Sequence, residues 1–238
     1  SFILIHCWAS AAALSTSTNA LKQAIDLVLK KHDAATARAS QPFQTWSVDG
    51  NAPATIDVPV VEPYAYPAGC ADVPELFAAA PCCAVTAAPL FSADECAFII
   101  DEAERKDGWV PQEFRYARDV VQQCEDLAEV RSWLEAACRE SLFPLLQRTF
   151  PEVVGDGAAA RDALRVFDSK ILRYDSSKGE SHLGAHRDGT LLTCVIALNS
   201  LDEYEGGGTT MEPLDQTLRY DVGRVCVHPG EVRHGGAA

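Results

Sequence analysis

The chain has 238 residues, 47% of them hydrophobic, with 34 acidic against 20 basic side chains and a net charge of −14. That hydrophobic share supports a globular chain with a sizeable core and excludes a disordered one. The acidity, without any cluster of Lys or Arg, excludes a nucleic-acid backbone as partner. It is read as a solvated surface, with a basic protein partner as the alternative. None of the nine cysteines stands in a Cys-x-x-Cys pair, so a zinc site has little support.

Phe2–Leu14 is mostly apolar and uncharged, interrupted by His6, Trp8 and Ser10. It is too short for a membrane span and lacks the basic leader of a signal peptide. It therefore predicts a buried N-terminal helix; a targeting remnant, or a segment docking on a membrane or a larger assembly, is the alternative. Ser17 or Thr18 caps a second predicted helix reaching Ala39, with Leu21, Ala24, Ile25, Val28 and Leu29 on one face. Lys30, Lys31 and His32 lie towards its C-terminal end, where the helix dipole favours them. Prolines at 53, 59, 63, 67, 74 and 81 predict an extended, irregular linker from Asn51 to Pro81. Residues 1–88 thus read as a helical and extended appendage, and residues 89–238 as a second domain.

Ser92-Ala-Asp-Glu95 is a capping box, with Ala97, Phe98, Ile99, Ile100 and Ala103 behind it, and the helix should stop by Gly108. A longer helix is predicted from Glu125 to Arg148, kinked near Pro144. From Leu164 onward the chain predicts strands: Arg165–Tyr174, His186–Asn199, Thr209–Glu212, Thr217–Tyr220 and Gly223–His228. Cys194 and Cys226 fall inside such strands as packing residues. Cys70, Cys82 and Cys83 fall in irregular chain and could form a disulfide in an oxidising compartment.

Chemistry concentrates at His186-Arg187-Asp188. On an extended segment a period of two puts the imidazole and the carboxylate on one face, with Arg187 pointing away. A third ligand would complete the two-histidine, one-carboxylate set typical of non-haem Fe(II). His234, in Arg-His-Gly-Gly, is the preferred candidate, and His228 competes with it. His182 is expected to be exposed. Thr190–Leu198 is a nearly unbroken apolar run ending at Asn199, as befits a strand buried on both faces. Tyr204-Glu-Gly-Gly-Gly-Thr209 follows as a glycine-rich bend, expected to be a tight turn near the mouth of a barrel. His228-Pro-Gly230 then leads into His234.

In this order these motifs resemble the 2-oxoglutarate, Fe(II)-dependent dioxygenases of the prolyl 4-hydroxylase and procollagen lysyl hydroxylase type. The likeness is close from Leu164 to Gly236, looser back to Phe91, and absent before Pro81. It implies an α+β protein whose core is a double-stranded β-helix (jelly-roll) braced by helices. It implies Fe(II) bound by His186, Asp188 and His234, with His228 a neighbour in the core. It implies 2-oxoglutarate as co-substrate, hydrogen-bonded by Tyr174, with Thr193 the second candidate; ascorbate is an optional addition. The implied reaction is hydroxylation of a peptide or protein side chain, proline before lysine. A secretory or organellar lumen is favoured over the cytoplasm. The family also places an Arg or Lys about ten residues past the distal histidine, on a further core strand, so that strand is expected beyond Ala238. The alternative is a catalytically silent subunit that uses this fold and the N-terminal arm to bind partners in a larger assembly. A third option is a cupin-like metal-binding module without oxygenase activity.

Overall fold

The computed structural model describes residues 2–11, 59–106, 108–111 and 117–238, with backbone alone for 2–11 and 117–118. The helix expected at Ser17–Ala39 and the first part of the linker lie outside the described residues. Strands are numbered along the chain. The large antiparallel sheet has eight strands in the order β2 (Val61–Tyr64), β3 (Cys83–Thr86), β12 (Val225–Pro229), β9 (Leu192–Ala197), β1 (Phe2–Ala11), β7 (Leu164–Tyr174), β6 (Val120–Gln123) and β4 (Val110–Pro111). The small antiparallel sheet has five: β11 (Gln216–Leu218), β10 (Thr209–Met211), β13 (His234–Gly236), β8 (His182–His186) and β5 (Ala117–Arg118). Helices pack on the large sheet, so the architecture is α+β.

Alternation along the strands divides the core in two. On β9, Leu192, Cys194 and Ile196 pack with the helices, while Val195 and Ala197 join a second cluster that includes Leu183, Met211 and Leu218 of the small sheet. The large sheet is thus buried on both faces at β9 and β12, whose residues are nearly all apolar. On β7 the alternation changes phase. Trp8 of β1 pairs with Asp168 and Ala9 with Val166, leaving Phe167 as a bulge residue. Leu164 and Val166 therefore pack on the helix side, whereas Asp168, Lys170, Leu172 and Tyr174 share the opposite face.

Helix α1 (Ala93–Arg105) begins with the expected capping box: Glu95 N–H donates to Ser92 Oγ at 3.2 Å, and Ser92 N–H donates to Glu95 Oε2 at 2.8 Å. Trp133 Nε1 donates to the other oxygen of Glu95 at 3.0 Å, and its ring packs edge-on against Phe91. This joins α1 to α2 (Ala128–Ala137). The chain then passes through a π-turn at Cys138–Leu142 into α3 (Phe143–Thr149). Pro144 has no N–H to offer the Glu140 carbonyl, and the widened turn, with Phe143 N–H reaching Cys138 O, absorbs the irregularity expected there. Arg173, largely buried, stacks 4.5 Å from the Trp109 ring centroid and bridges Glu104 of α1 and Glu180 of the β7–β8 connection at 3.3 and 3.2 Å.

Two expectations are corrected. Phe2–Ala11 is a strand, not a buried helix. It pairs along its whole length with β7 and, from Leu4 to Ala9, with β9. Only an extended segment can satisfy the facing N–H and C=O groups of both neighbours. The predicted strand His186–Asn199 divides, because Gly189 turns the chain at a φ of 71° and sends β8 and β9 into different sheets. From residue 59 on, the linker before Pro81 is irregular apart from β2, which adds to the edge of the large sheet, and a short 3₁₀ turn. Among the described residues no helix is long and apolar enough to cross a membrane.

Candidate metal centre

Ladder register brings the two preferred histidines together. His234 of β13 and His186 of β8 are direct partners across the small sheet, so their side chains stand on the same face. Their ring centroids are 4.5 Å apart. Asp188 lies just beyond the end of β8, and its backbone N–H donates to Gly230 O at 3.0 Å, which draws the turn against the connection between β12 and β13. Gly230 permits this approach, since a Cβ there would lie 2.2 Å from the Thr190 carbonyl oxygen. The result is one compact group: His186 Nε2 is 3.2 Å from Asp188 Oδ1, and His234 Nε2 is 3.6 Å from Asp188 Oδ2.

The donor set fits a divalent transition metal. Ligand atoms from all three residues lie within 4.8 Å of one another. Cis ligands at about 2.1 Å from one ion are themselves about 3 Å apart, close to the spacing seen. Both imidazoles are also held in the tautomer a metal requires. Nδ1 of His186 lies 3.0 Å from Gly184 O, and Nδ1 of His234 lies 3.0 Å from Val232 O. A carbonyl oxygen can only accept, so each Nδ1 carries a hydrogen, which makes Nε2, once deprotonated, the ligating atom on the carboxylate side. Thr193 Oγ1 donates to Asp188 Oδ2 at 2.5 Å and orients the carboxylate.

Charge in this pocket is set by burial and by the carboxylate. The side chains of His234 and Asp188 are 1% exposed and that of His186 is 14% exposed, so the site meets solvent on the His186 side. Burial alone would push Asp188 up, but His234, His186 and His228 around it hold its carboxyl well below the usual range. Burial lowers His234 further than Asp188 raises it, leaving this ring neutral. Burial also works to lower His186, but the bonded Asp188 carboxylate outweighs it and raises the pKa. The group is therefore an anionic acceptor beside a neutral imidazole and one that gives up a proton on metal binding.

No family model matches the chain, and no curated protein matches it significantly. Function is therefore read from the site alone.

The remaining sequence candidates fall at different distances from this group. His228 is fully buried with its ring centroid 4.2 Å from that of His234, a neighbour in the core as expected. His182 is exposed and its Nδ1 lies beside Ser181 Oγ. Tyr174 closes β7, buried, with its hydroxyl against Gly236 on β13, where a Cβ would be 2.5 Å away. Burial, with help from Asp119, keeps it a neutral phenol. Thr193 is spent on Asp188. The Gly206–Gly208 bend has positive φ at all three glycines, and Gly207 N–H donates to Ala238 O. Cys70, Cys82 and Cys83 carry free thiols, while Cys194 and Cys226 are buried in β9 and β12. Sequence reasoning missed three supports of the site: the Thr193–Asp188 bond, the carbonyls of Gly184 and Val232, and Asp119, a buried carboxylate whose charge reaches both His186 and Tyr174. Only the carbonyls had any local signal, each lying two residues before its histidine.

Proposed function

We propose that the chain is a 2-oxoglutarate- and Fe(II)-dependent dioxygenase that hydroxylates a peptidyl side chain, proline before lysine, on a double-stranded β-helix core. The convergence of His186, Asp188 and His234, each oriented by its own hydrogen bond, carries this reading. Two neutral imidazoles and one carboxylate would hold Fe(II) and leave positions for a chelating co-substrate and oxygen. Bound there, Fe(II) supplies the chemistry that couples decarboxylation of 2-oxoglutarate to oxygen insertion into a C–H bond.

The balance is 2-oxoglutarate, dioxygen and a C–H substrate going to succinate, carbon dioxide and the hydroxylated product. The protein's own groups bind, orient and exclude water. Asp188 contributes the negative charge that offsets the metal's. The Tyr174 phenol, kept protonated, is a hydrogen-bond donor suited to a co-substrate carboxylate. The buried walls of β9 and β12 keep water from the reacting atoms.

The test gives purified protein Fe(II), 2-oxoglutarate and oxygen and measures succinate, alone and with proline-rich or lysine-containing peptides. Succinate formation stimulated by peptide, and abolished in Asp188→Ala, is the expected result. A protein that binds Fe(II) yet forms no succinate with any peptide would be the silent subunit instead.

A further inference from the structure

A third imidazole belongs to the same cluster and has no role yet. His228 lies on β12, two residues past Cys226 and on the same inner face. Its partner across the ladder is Thr193, whose hydroxyl donates to Asp188. The His228 ring is tilted by 56° against that of His234, which lies between it and His186.

The hydrogen positions on His228 follow from its neighbours. Nδ1 lies 2.8 Å from the carbonyl oxygen of Pro229, so Nδ1 carries the hydrogen and donates it. Nε2 then bears a lone pair on the ring edge remote from that carbonyl, turned off the strand and into the interior. It is fully buried, and among the described residues it meets no hydrogen-bond donor. A buried acceptor left in that state costs about 1–3 kcal/mol. His228 also stands outside the compact group of His186, Asp188 and His234 whose ligand atoms can share one ion.

We infer that His228 is a positioning residue of the centre, its Nε2 accepting a hydrogen bond from a small protic ligand, water in the resting site, held beside His234. A carboxylate at that edge would set lone pair against lone pair, so His228 also steers an acidic co-substrate to the other side of the centre. The inference rests on the metal-centre reading.

The experiment titrates the full chain with Co(II) alone, without co-substrate, following affinity by calorimetry and the visible absorption of bound Co(II). His228→Phe keeps a ring and removes the acceptor; His228→Gln keeps an acceptor oxygen. Loss of a group that orders a metal site costs roughly 10–100-fold in affinity. That loss, with shifted Co(II) bands, is expected for His228→Phe, and most of it should be recovered in His228→Gln. If His228→Phe does not fold, His228→Leu takes its place. Unchanged affinity and spectrum in a folded Phe or Leu variant would overturn the inference, as would equal loss in the Gln variant, which would mark a packing role. A wild-type chain that binds no Co(II), while folded, would sink the metal centre itself. Absence of succinate with Co(II) binding intact touches only the proposed reaction.

Discussion

A single hydroxyl decides where the Asp188 carboxylate points. Thr193→Val keeps the shape of that side chain but removes the donor to Oδ2, and is expected to weaken Co(II) or Fe(II) binding by roughly 10-fold. Thr193→Ser should restore it; equilibrium metal titration distinguishes the two. Acid stability should report on His228. Burial, then the neighbouring His234, lower its pKa to about 3 against an ordinary 6.5. Below pH 6.5 the unfolded chain takes up a proton that the folded chain refuses, so stability falls with pH between about 6.5 and 3. The slope from this group approaches about 1.4 kcal/mol per pH unit. His186 has the opposite sign, because its raised pKa gives stability that is present below pH 6.5 and lost as pH rises through the raised value. Urea unfolding of metal-free protein at pH 5 and pH 6 should show a smaller difference in His228→Phe than in the wild type. At this scale the ligands were legible in the sequence, because His-x-Asp and the distal histidine announce themselves by residue type and order. The Thr193 bond was not, since it depends on the turn at Gly189 bringing the first residues of β9 back over Asp188.

Among the elements, those governed by neighbours in sequence were the legible ones. The capping box at Ser92 and the strand ending at Tyr174 are written in local chemistry, and both are present. Phe2–Ala11 was not legible, because a short apolar run suits a buried helix or a buried strand equally. What decides it is a pair of neighbours more than 150 residues away. The glycine bend lies between these cases: composition suggested a turn, but only the geometry says what a side chain at each glycine would meet. Gly208 has φ 113°, and a Cβ there would lie 2.7 Å from the Leu218 carbonyl oxygen. Gly179 has φ 80° with nothing nearby. Gly179→Ala should therefore cost about 1 kcal/mol, the strain alone. Gly208→Ala should cost more than about 2 kcal/mol, since backbone must also shift. Chemical denaturation of the two variants tests the contrast.

For the whole molecule, metal and fold should be coupled. The three ligands come from the end of β8, the turn after it and β13, so an ion would tie these segments together. At one hundred times its dissociation constant a ligand adds about 2.7 kcal/mol to stability. For a domain of this size that is a rise of roughly 5–10 °C in melting temperature. Scanning with and without Co(II) should show it, and Asp188→Ala should remove it. Arg173 is a second tie, clamping α1 to β7 and the β7–β8 connection. Arg173→Met keeps the stem and drops the charge, leaving half-buried Glu180 unopposed; a loss of about 2 kcal/mol is expected, with metal binding unchanged.

The central place of β1 imposes an order on folding. β1 is synthesised more than 150 residues ahead of both its neighbours in the large sheet, residues 164–174 and 192–197. Until then the Phe-Ile-Leu-Ile segment at its start has no partner in the sheet, and the sheet cannot close around β7 and β9. Contacts spanning this much chain slow folding and lengthen the exposure of sticky, unpaired strands. Between the synthesis of β1 and that of β7 and β9 the nascent chain should therefore depend on a holding chaperone, and refolding from denaturant should be limited by capture of β1.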